Sequence, residues 1–264
     1  MKMYLRELKT NTKSLLIWTV VMVLLIIVAL AKFAAFEGNP ESLAVLDTMP
    51  PQLLEALGMR AFNLTSVDGF FGVMFTYFGI IGAMAAAMWG SEVISKEERD
   101  RTVEFTLVLP VSRQKIVTSK LLAALTNCTL FVLFTWLISV WSVRVYEPGQ
   151  TFYDFLRLEM LAMYLLEMVF LSFGLMLGCV SSSPRRVGSV AIGVILSLYF
   201  LSIVAGMNQN LNWLKWLTVF GWFNASKFFR SGQLEPLALI LTAVVVMVFL
   251  AIGYAGYDRR DLYI

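Results

Sequence analysis

At 264 residues the chain is long enough for one or two water-soluble domains, yet 59% of it is hydrophobic and only 15% charged. Ordinary globular chains carry about 25% charged residues, and a mean hydropathy of +0.75 places this one in a bilayer. Histidine is absent, which excludes His-dependent zinc, haem or triad chemistry and removes the commonest acid–base group, while a net charge of +3 defines no partner by itself.

The first fourteen residues read as an amphipathic helix. At 100° per residue Lys2, Arg6, Lys9 and Lys13 form one stripe beside an apolar face of Met1, Tyr4, Leu5 and Leu8, as in helices that lie in the membrane interface with cations near anionic head groups. A plain positively charged anchor is the simpler use of the same residues. The apolar run that follows, 15–36, is too long for a signal-peptide core and lacks a small-residue cleavage site, so it is expected to stay as a first span.

Five further windows reach the ~18–20 apolar residues needed to cross a ~30 Å hydrocarbon core. The expected spans are 15–36, 69–90, 121–143, 156–180, 187–206 and 236–256, giving an all-α, polytopic fold in a single transmembrane domain over 1–264. The connecting loops are too short for a second domain. Placing both termini in the cytoplasm assigns fourteen of the 21 Lys and Arg residues to inner segments and seven to outer ones, the bias that orients membrane proteins. The chain is therefore expected in the plasma membrane, multi-pass, in a prokaryotic cell. Cys128 and Cys179 fall inside apolar runs and read as small buried hydrophobes, without metal or redox spacing.

The segment 91–120 departs from this economy with charge. Glu92, Lys96, Glu97, Glu98, Arg99, Asp100, Arg101, Glu104, Arg113, Lys115 and Lys120 crowd into thirty residues between two spans. Lys96–Asp100 and Glu97–Arg101 have the i,i+4 spacing of helical ion pairs. Val103, Phe105, Leu107 and Leu109 then supply apolar knobs for a short amphipathic helix, a shape suited to a partner's groove. Pro110 stops that helix, and Ser112 is placed to cap the next, which runs through Lys120 into the third span.

The run Glu92…Glu97-Glu98-Arg99-Asp100-Arg101-Thr102-Val103-Glu104…Pro110-Val111-Ser112-Arg113…Lys120 resembles the signature of type-2 ABC transporter permeases. The tail Tyr257-Asp258-Arg259-Arg260-Asp261-Leu262 and the opening Leu5-Arg6-Glu7-Leu8-Lys9 are similar to that family's closing and entry segments. The resemblance in layout covers the chain, and the sharp motif about thirty residues of it. Where the family commonly has Gly before the Thr, this chain has Arg101, so a continuous helix is expected there instead of a tight turn.

The resemblance implies a half-transporter, in which two permease subunits, alike or homologous, pair and each sits on an ATP-hydrolysing subunit. Segment 91–120 would hold the cytoplasmic coupling helix, with Glu92, Glu97, Arg101, Thr102, Glu104, Phe105, Pro110, Arg113 and Lys120 as the coupling residues. No G-x-x-x-x-G-K-[ST] run is encoded, so no phosphate-cradling loop is present. The chain is expected not to be an enzyme and to hold no cofactor, with ATP and Mg in the partner ATPase, and nothing points to nucleic acid. Similar compact permeases suggest export of amphipathic peptides, antimicrobials or other hydrophobic amphiphiles.

Glu167 stands midway along the fourth span. A carboxyl at that depth is a candidate site, with three uses open: a hydrogen bond to a hydroxyl such as Ser172 or Ser197, contact with a cationic or amphipathic substrate, or proton coupling. The last two belong to the alternative reading, a secondary transporter or channel. Gly79, Ala83 and Ala87, Gly174 and Gly178, and Ser189, Gly193 and Ser197 are spaced for close helix packing, either within the bundle or at a subunit seam. The resemblance implies a seam at spans one and five. In the 207–235 stretch Trp213, Trp216, Phe220, Trp222, Phe223 and Phe228 form no segment long enough to cross, and short helices at the outer interface are expected.

Overall fold

The computed structural model describes residues 2–37, 50, 54, 59, 62–100, 102, 111–207, 211 and 213–259. Among these, every regular element is helical: α1 (Lys2–Phe36), α2 (Val67–Arg99), α3 (Arg113–Ser142), α4 (Gln150–Val180), α5 (Val187–Met207), the short α6 (Leu214–Leu217), α7 (Val219–Trp222) and α8 (Ala225–Ser231), and α9 (Pro236–Arg259). Six of them are long and apolar enough to cross a membrane, and the chain is a multi-pass membrane protein. The helices α1 and α9 bring Lys2 and Arg259 to one end of the bundle, called proximal below; the other end is distal.

Local chemistry sets the helix ends. Ser66 caps α2, its hydroxyl accepting from Gly69 N–H, with Asp68 in the first turn and Lys96 and Arg99 in the last, charges that complement the helix dipole. Ser112 caps α3 as its sequence position suggested, accepting from Lys115 N–H. The 3₁₀ turn Val143–Tyr146 closes on Glu147 in the left-handed region (φ 44°), and α4 starts after Gly149. Pro236 occupies the first position of α9, where its missing N–H costs nothing.

Two helices extend well beyond the expected spans. The interval 69–90 belongs to α2, which continues to Arg99, and 121–143 belongs to α3, which begins at Arg113. Much of the 91–120 segment is thus a helical extension of spans two and three. In the same way α1 runs unbroken over 35 residues, about 52 Å at 1.5 Å per residue. The amphipathic N-terminal stretch and the first span are one helix.

The hub is the α2–α4 pair. In their most apolar windows 67% and 61% of residues are buried within the subunit, against 22% for α1 and 17% each for α5 and α9. Glycine makes this closeness possible. A Cβ on Gly90 would run into Leu171 O, and one on Gly174 into Ala87 O; on Gly178 it would sit 2.6 Å from Ser91 O. The α2 and α4 backbones touch, as small-residue interfaces in membranes allow. This assigns the Gly174/Gly178 pair to the interior of the bundle. By contrast Gly193 meets nothing within 4 Å, and Ser189, Gly193 and Ser197 are all exposed on α5.

At the distal end α6, α7 and α8 are the short helices expected there, and they fold back onto the bundle. Phe228 packs against Phe75 (5.5 Å between ring centroids) and Phe155 (5.6 Å), and Phe229 against Phe155 (4.7 Å) and Phe62 (5.3 Å). Trp222 Nε1 donates to Trp216 O at 2.8 Å, so the indole's polar edge is satisfied while its ring is buried.

Candidate coupling site

The proximal ends of α1, α2 and α3 meet on one ammonium group. Lys120 of α3 has a side chain only 2% exposed; its Nζ lies 2.8 Å from Glu97 Oε1 on α2 and 3.6 Å from Glu7 Oε1 on α1. The same nitrogen donates to Val93 O at 2.9 Å. A buried cation must be paired and hydrogen-bonded to be tolerated, and Lys120 meets both conditions across three helices.

This contact belongs to a polar seam along α1. Tyr4 OH meets Thr126 Oγ1 at 2.9 Å, Glu7 faces Lys120, Asn11 Oδ1 accepts from Lys96 Nζ at 3.4 Å, and Ser14 Oγ accepts from Trp89 Nε1 at 3.0 Å. Positions 4, 7, 11 and 14 follow the 3–4–3 spacing of a helix seam. The first turns of α1 are held by α2 and α3 through side chains, while Arg6, Lys9 and Lys13 are exposed.

Of the i,i+4 pairs expected on α2, Lys96–Asp100 gives way to a longer-range contact, and Glu97–Arg101 lies outside the described residues. Lys96 turns to Asn11 and not to Asp100, and Glu97 turns to Lys120. Arg99 bridges Glu92 at 3.7 Å and Asp100 at 3.1 Å. The helix ends here: Asp100 N–H donates to Lys96 O, and Thr102 N–H reaches back to Glu97 O at 2.8 Å. The helix thus stops at Arg99 and Thr102 folds back on its last turn, so the expectation of a continuous helix through this region is corrected. Of the expected coupling residues, Arg101, Glu104, Phe105 and Pro110, with the expected helix over 103–109, lie outside the described residues.

Arg113 anchors the other side of the segment. Its Nη1 donates to Tyr257 O (3.1 Å) and Asp258 O (3.4 Å), and the guanidinium stands 5.9 Å from the Tyr257 ring centroid. Gln114 Nε2 donates to Asp258 Oδ2 at 2.8 Å, and Thr118 Oγ1 meets Tyr254 OH at 2.8 Å. A cation on the last carbonyls of α9 satisfies acceptors the helix cannot and complements its dipole. Two stretches far apart in sequence, the Ser112-Arg113 turn and the C-terminal helix end, form one structural unit.

Within the bundle the structure places Glu167 against α2 and α3. It is fully buried, close enough to Gly82 that a Cβ there would lie 2.8 Å from Oε1, and it faces the Cys128 thiol. Neither carboxyl oxygen has a nitrogen or oxygen donor among the described residues. The hydroxyls expected to serve it point elsewhere: Ser172 Oγ donates to Val169 O and Ser197 Oγ to Gly193 O. Glu159, two turns earlier on α4, is also fully buried and has both oxygens without a hydrogen-bond donor among the described residues. Sequence reasoning passed over it, although an acidic residue inside the fourth apolar window was a visible signal.

The bundle of long apolar helices, the charged ends of α2 and α3 and the Arg113 anchor agree with a match to the family model described as ABC-2 family transporter protein, which covers residues 1–262. The chain belongs to that family. Among curated proteins none matches it. Membership makes it a membrane transport component, and the six crossing helices supply the transmembrane part of that component.

Proposed function

We propose that the chain is the permease subunit of an ATP-binding-cassette exporter, paired with a second copy or homologue and driven by a separate ATPase that binds the proximal end. The observation that carries this reading is the double anchoring of the segment between α2 and α3. Glu97, Lys120 and Glu7 tie its first side to α1, and Arg113 ties its second side to α9. A push on a segment held this way is delivered to four membrane helices at once, as switching between inward- and outward-open states requires. The excess of Lys and Arg on segments at this end supports cytoplasmic termini in a plasma membrane, where a nucleotide-hydrolysing partner with its ATP and Mg would sit. Amphipathic peptides, antimicrobials and other hydrophobic amphiphiles are the cargo class this reading favours.

The test is reconstitution of the chain with its co-encoded ATPase in vesicles. Replacing Glu92 with lysine, which leaves the Lys120 contact with Glu97 and Glu7 in place, should lower cargo movement about tenfold or more, within the 5–150-fold span of typical coupling energies, while ATP hydrolysis continues. Unaided cargo movement by the permease alone would overturn the reading. It would favour instead a secondary transporter using Glu167, whose buried carboxyl without a conventional donor is the feature supporting that alternative. In that case movement should follow a proton or cation gradient and vanish in Glu167→Gln.

The proposed subunit seam runs along α1 and α5. Leu16, Ile17, Val20 and Leu24 of α1 are exposed, as are Val190, Phe200 and Val204 of α5, and the Ser189/Gly193/Ser197 stripe offers close approach. Cysteine introduced at Gly193 in a background lacking Cys128 and Cys179 should form an oxidant-dependent dimer in native membranes. A monomer only, with the cysteine reactive to a lipid-phase maleimide, would place the seam elsewhere.

A further inference from the structure

A cleft of about 520 Å³ opens at the distal end between α2, α5 and the short helices α6–α8, within the ~300–1,000 Å³ range of small-molecule sites. Its inner wall is apolar, formed by Phe75 and Gly79 of α2, Leu166 of α4, Ile203 of α5 and Phe220 of α7. Its rim is cationic: Lys215, Lys227 and Arg230 line it, and among the described residues no aspartate or glutamate does. Lys227 is paired with Glu235 at 3.0 Å, whereas Lys215 and Arg230 have no acidic partner among the described residues. The floor ends at Gly79 and Leu166. One turn deeper lies Gly82, against which Glu167 is packed.

We propose that this cleft binds a single-chain amphiphile with an anionic head, the head held by Lys215 and Arg230 and the chain laid along Phe75, Ile203 and Phe220. The two cations select the sign of the head. A cationic amphiphile is repelled by the same rim, and a free anion leaves the apolar wall unfilled. Gly79 sets the depth: a Cβ there would meet only Leu166 Cδ2, at 3.9 Å, so the position accepts a side chain without backbone movement, and that side chain occupies the floor. The site stands independently of the pump reading, because binding is read without nucleotide or ATPase.

The experiment uses the full chain in nanodiscs of zwitterionic lipid, titrated with dodecyl phosphate and followed by tryptophan fluorescence, Trp216 lying 5.8 Å from Lys227 Nζ. Dodecyl phosphate should bind saturably, dodecyltrimethylammonium should not, and inorganic phosphate should compete poorly. The Lys215→Gln/Arg230→Gln double variant should weaken binding by about tenfold or more, and Gly79→Val should abolish it with an unchanged thermal midpoint. Glu235→Gln, which frees Lys227, should tighten binding by roughly two- to threefold, a change of opposite sign that loss of folding cannot produce. Equal binding of the cationic amphiphile, competition by inorganic phosphate at equal concentration, or unaltered affinity in both the double variant and Glu235→Gln would overturn the proposal.

Discussion

Lys120→Met is expected to lower the thermal midpoint of the purified chain by roughly 10 °C. The substitution keeps the length and apolar stem of the side chain but leaves the Glu7 and Glu97 carboxylates facing a thioether. Removing one partner of a buried ion pair costs about 3–5 kcal/mol, because the charge left behind is uncompensated. The neighbours give the prediction an internal order. Glu97→Gln should cost less than Lys120→Met, since the ammonium keeps Glu7 and Val93 O as partners. Glu7→Gln should be nearly neutral, because its oxygen is the farther one (3.6 Å against 2.8 Å) and one carboxylate suffices for one ammonium. Adding Glu97→Gln to Lys120→Met should recover part of the loss. Differential scanning fluorimetry across these four variants decides it, and a Lys120→Met midpoint no lower than that of Glu7→Gln would show that the three-helix contact is not a clamp.

Gly174→Val should be at least as damaging for a different reason. A Cβ there meets Ala87 O and stands 2.9 Å from Ser91 N, both backbone atoms of α2, which have no rotamer to change. The helices must separate, and the buried face shared by Ala83, Ala86, Leu171 and Leu175 loses its fit. Overpacking of this kind costs about 1–3 kcal/mol and more where the neighbour cannot yield. Gly193→Val, with nothing within 4 Å, should leave the thermal midpoint of the isolated subunit unchanged. The pair separates packing from composition, because both are glycine-to-valine changes inside spanning helices. A folded, monodisperse Gly174→Val protein on size-exclusion chromatography would contradict the tight α2–α4 contact.

The spans were legible because a bilayer core demands long apolar runs, and nothing else in the chain looks like them. Ser112 was legible as a cap because a hydroxyl just after Pro110 and before a helical run has few other uses. What escaped was pairing across the fold. Lys96 had a partner at i+4 in sequence, yet it turns to Asn11 of α1, and Glu97 meets Lys120 of α3, because the α2 end is packed against both helices. The polar face of α1 escaped for a related reason. Tyr4 reads as apolar and Glu7 only as part of the family-like entry segment until the 3–4–3 spacing with Asn11 and Ser14 is seen beside its partners. Glu159 was hidden by Glu167: one mid-span carboxyl drew attention, and the second lay nearer the window's edge. The turn after α2 went the other way, since the absence of the family's glycine suggested a helix that the Thr102–Glu97 bond ends.

The acceptors that hold Arg113 are made long after it. Tyr257 O lies 144 positions downstream, so a growing chain on the ribosome has its charged segment synthesised and both flanking helices complete long before the carbonyls that fix its orientation exist. Until the sixth crossing is inserted, the surface proposed for the ATPase lacks one of its two moorings. A product lacking α9 would keep that surface without its Arg113 mooring. Insertion of the sixth crossing and the seating of that proposed surface are thereby tied together at a single guanidinium.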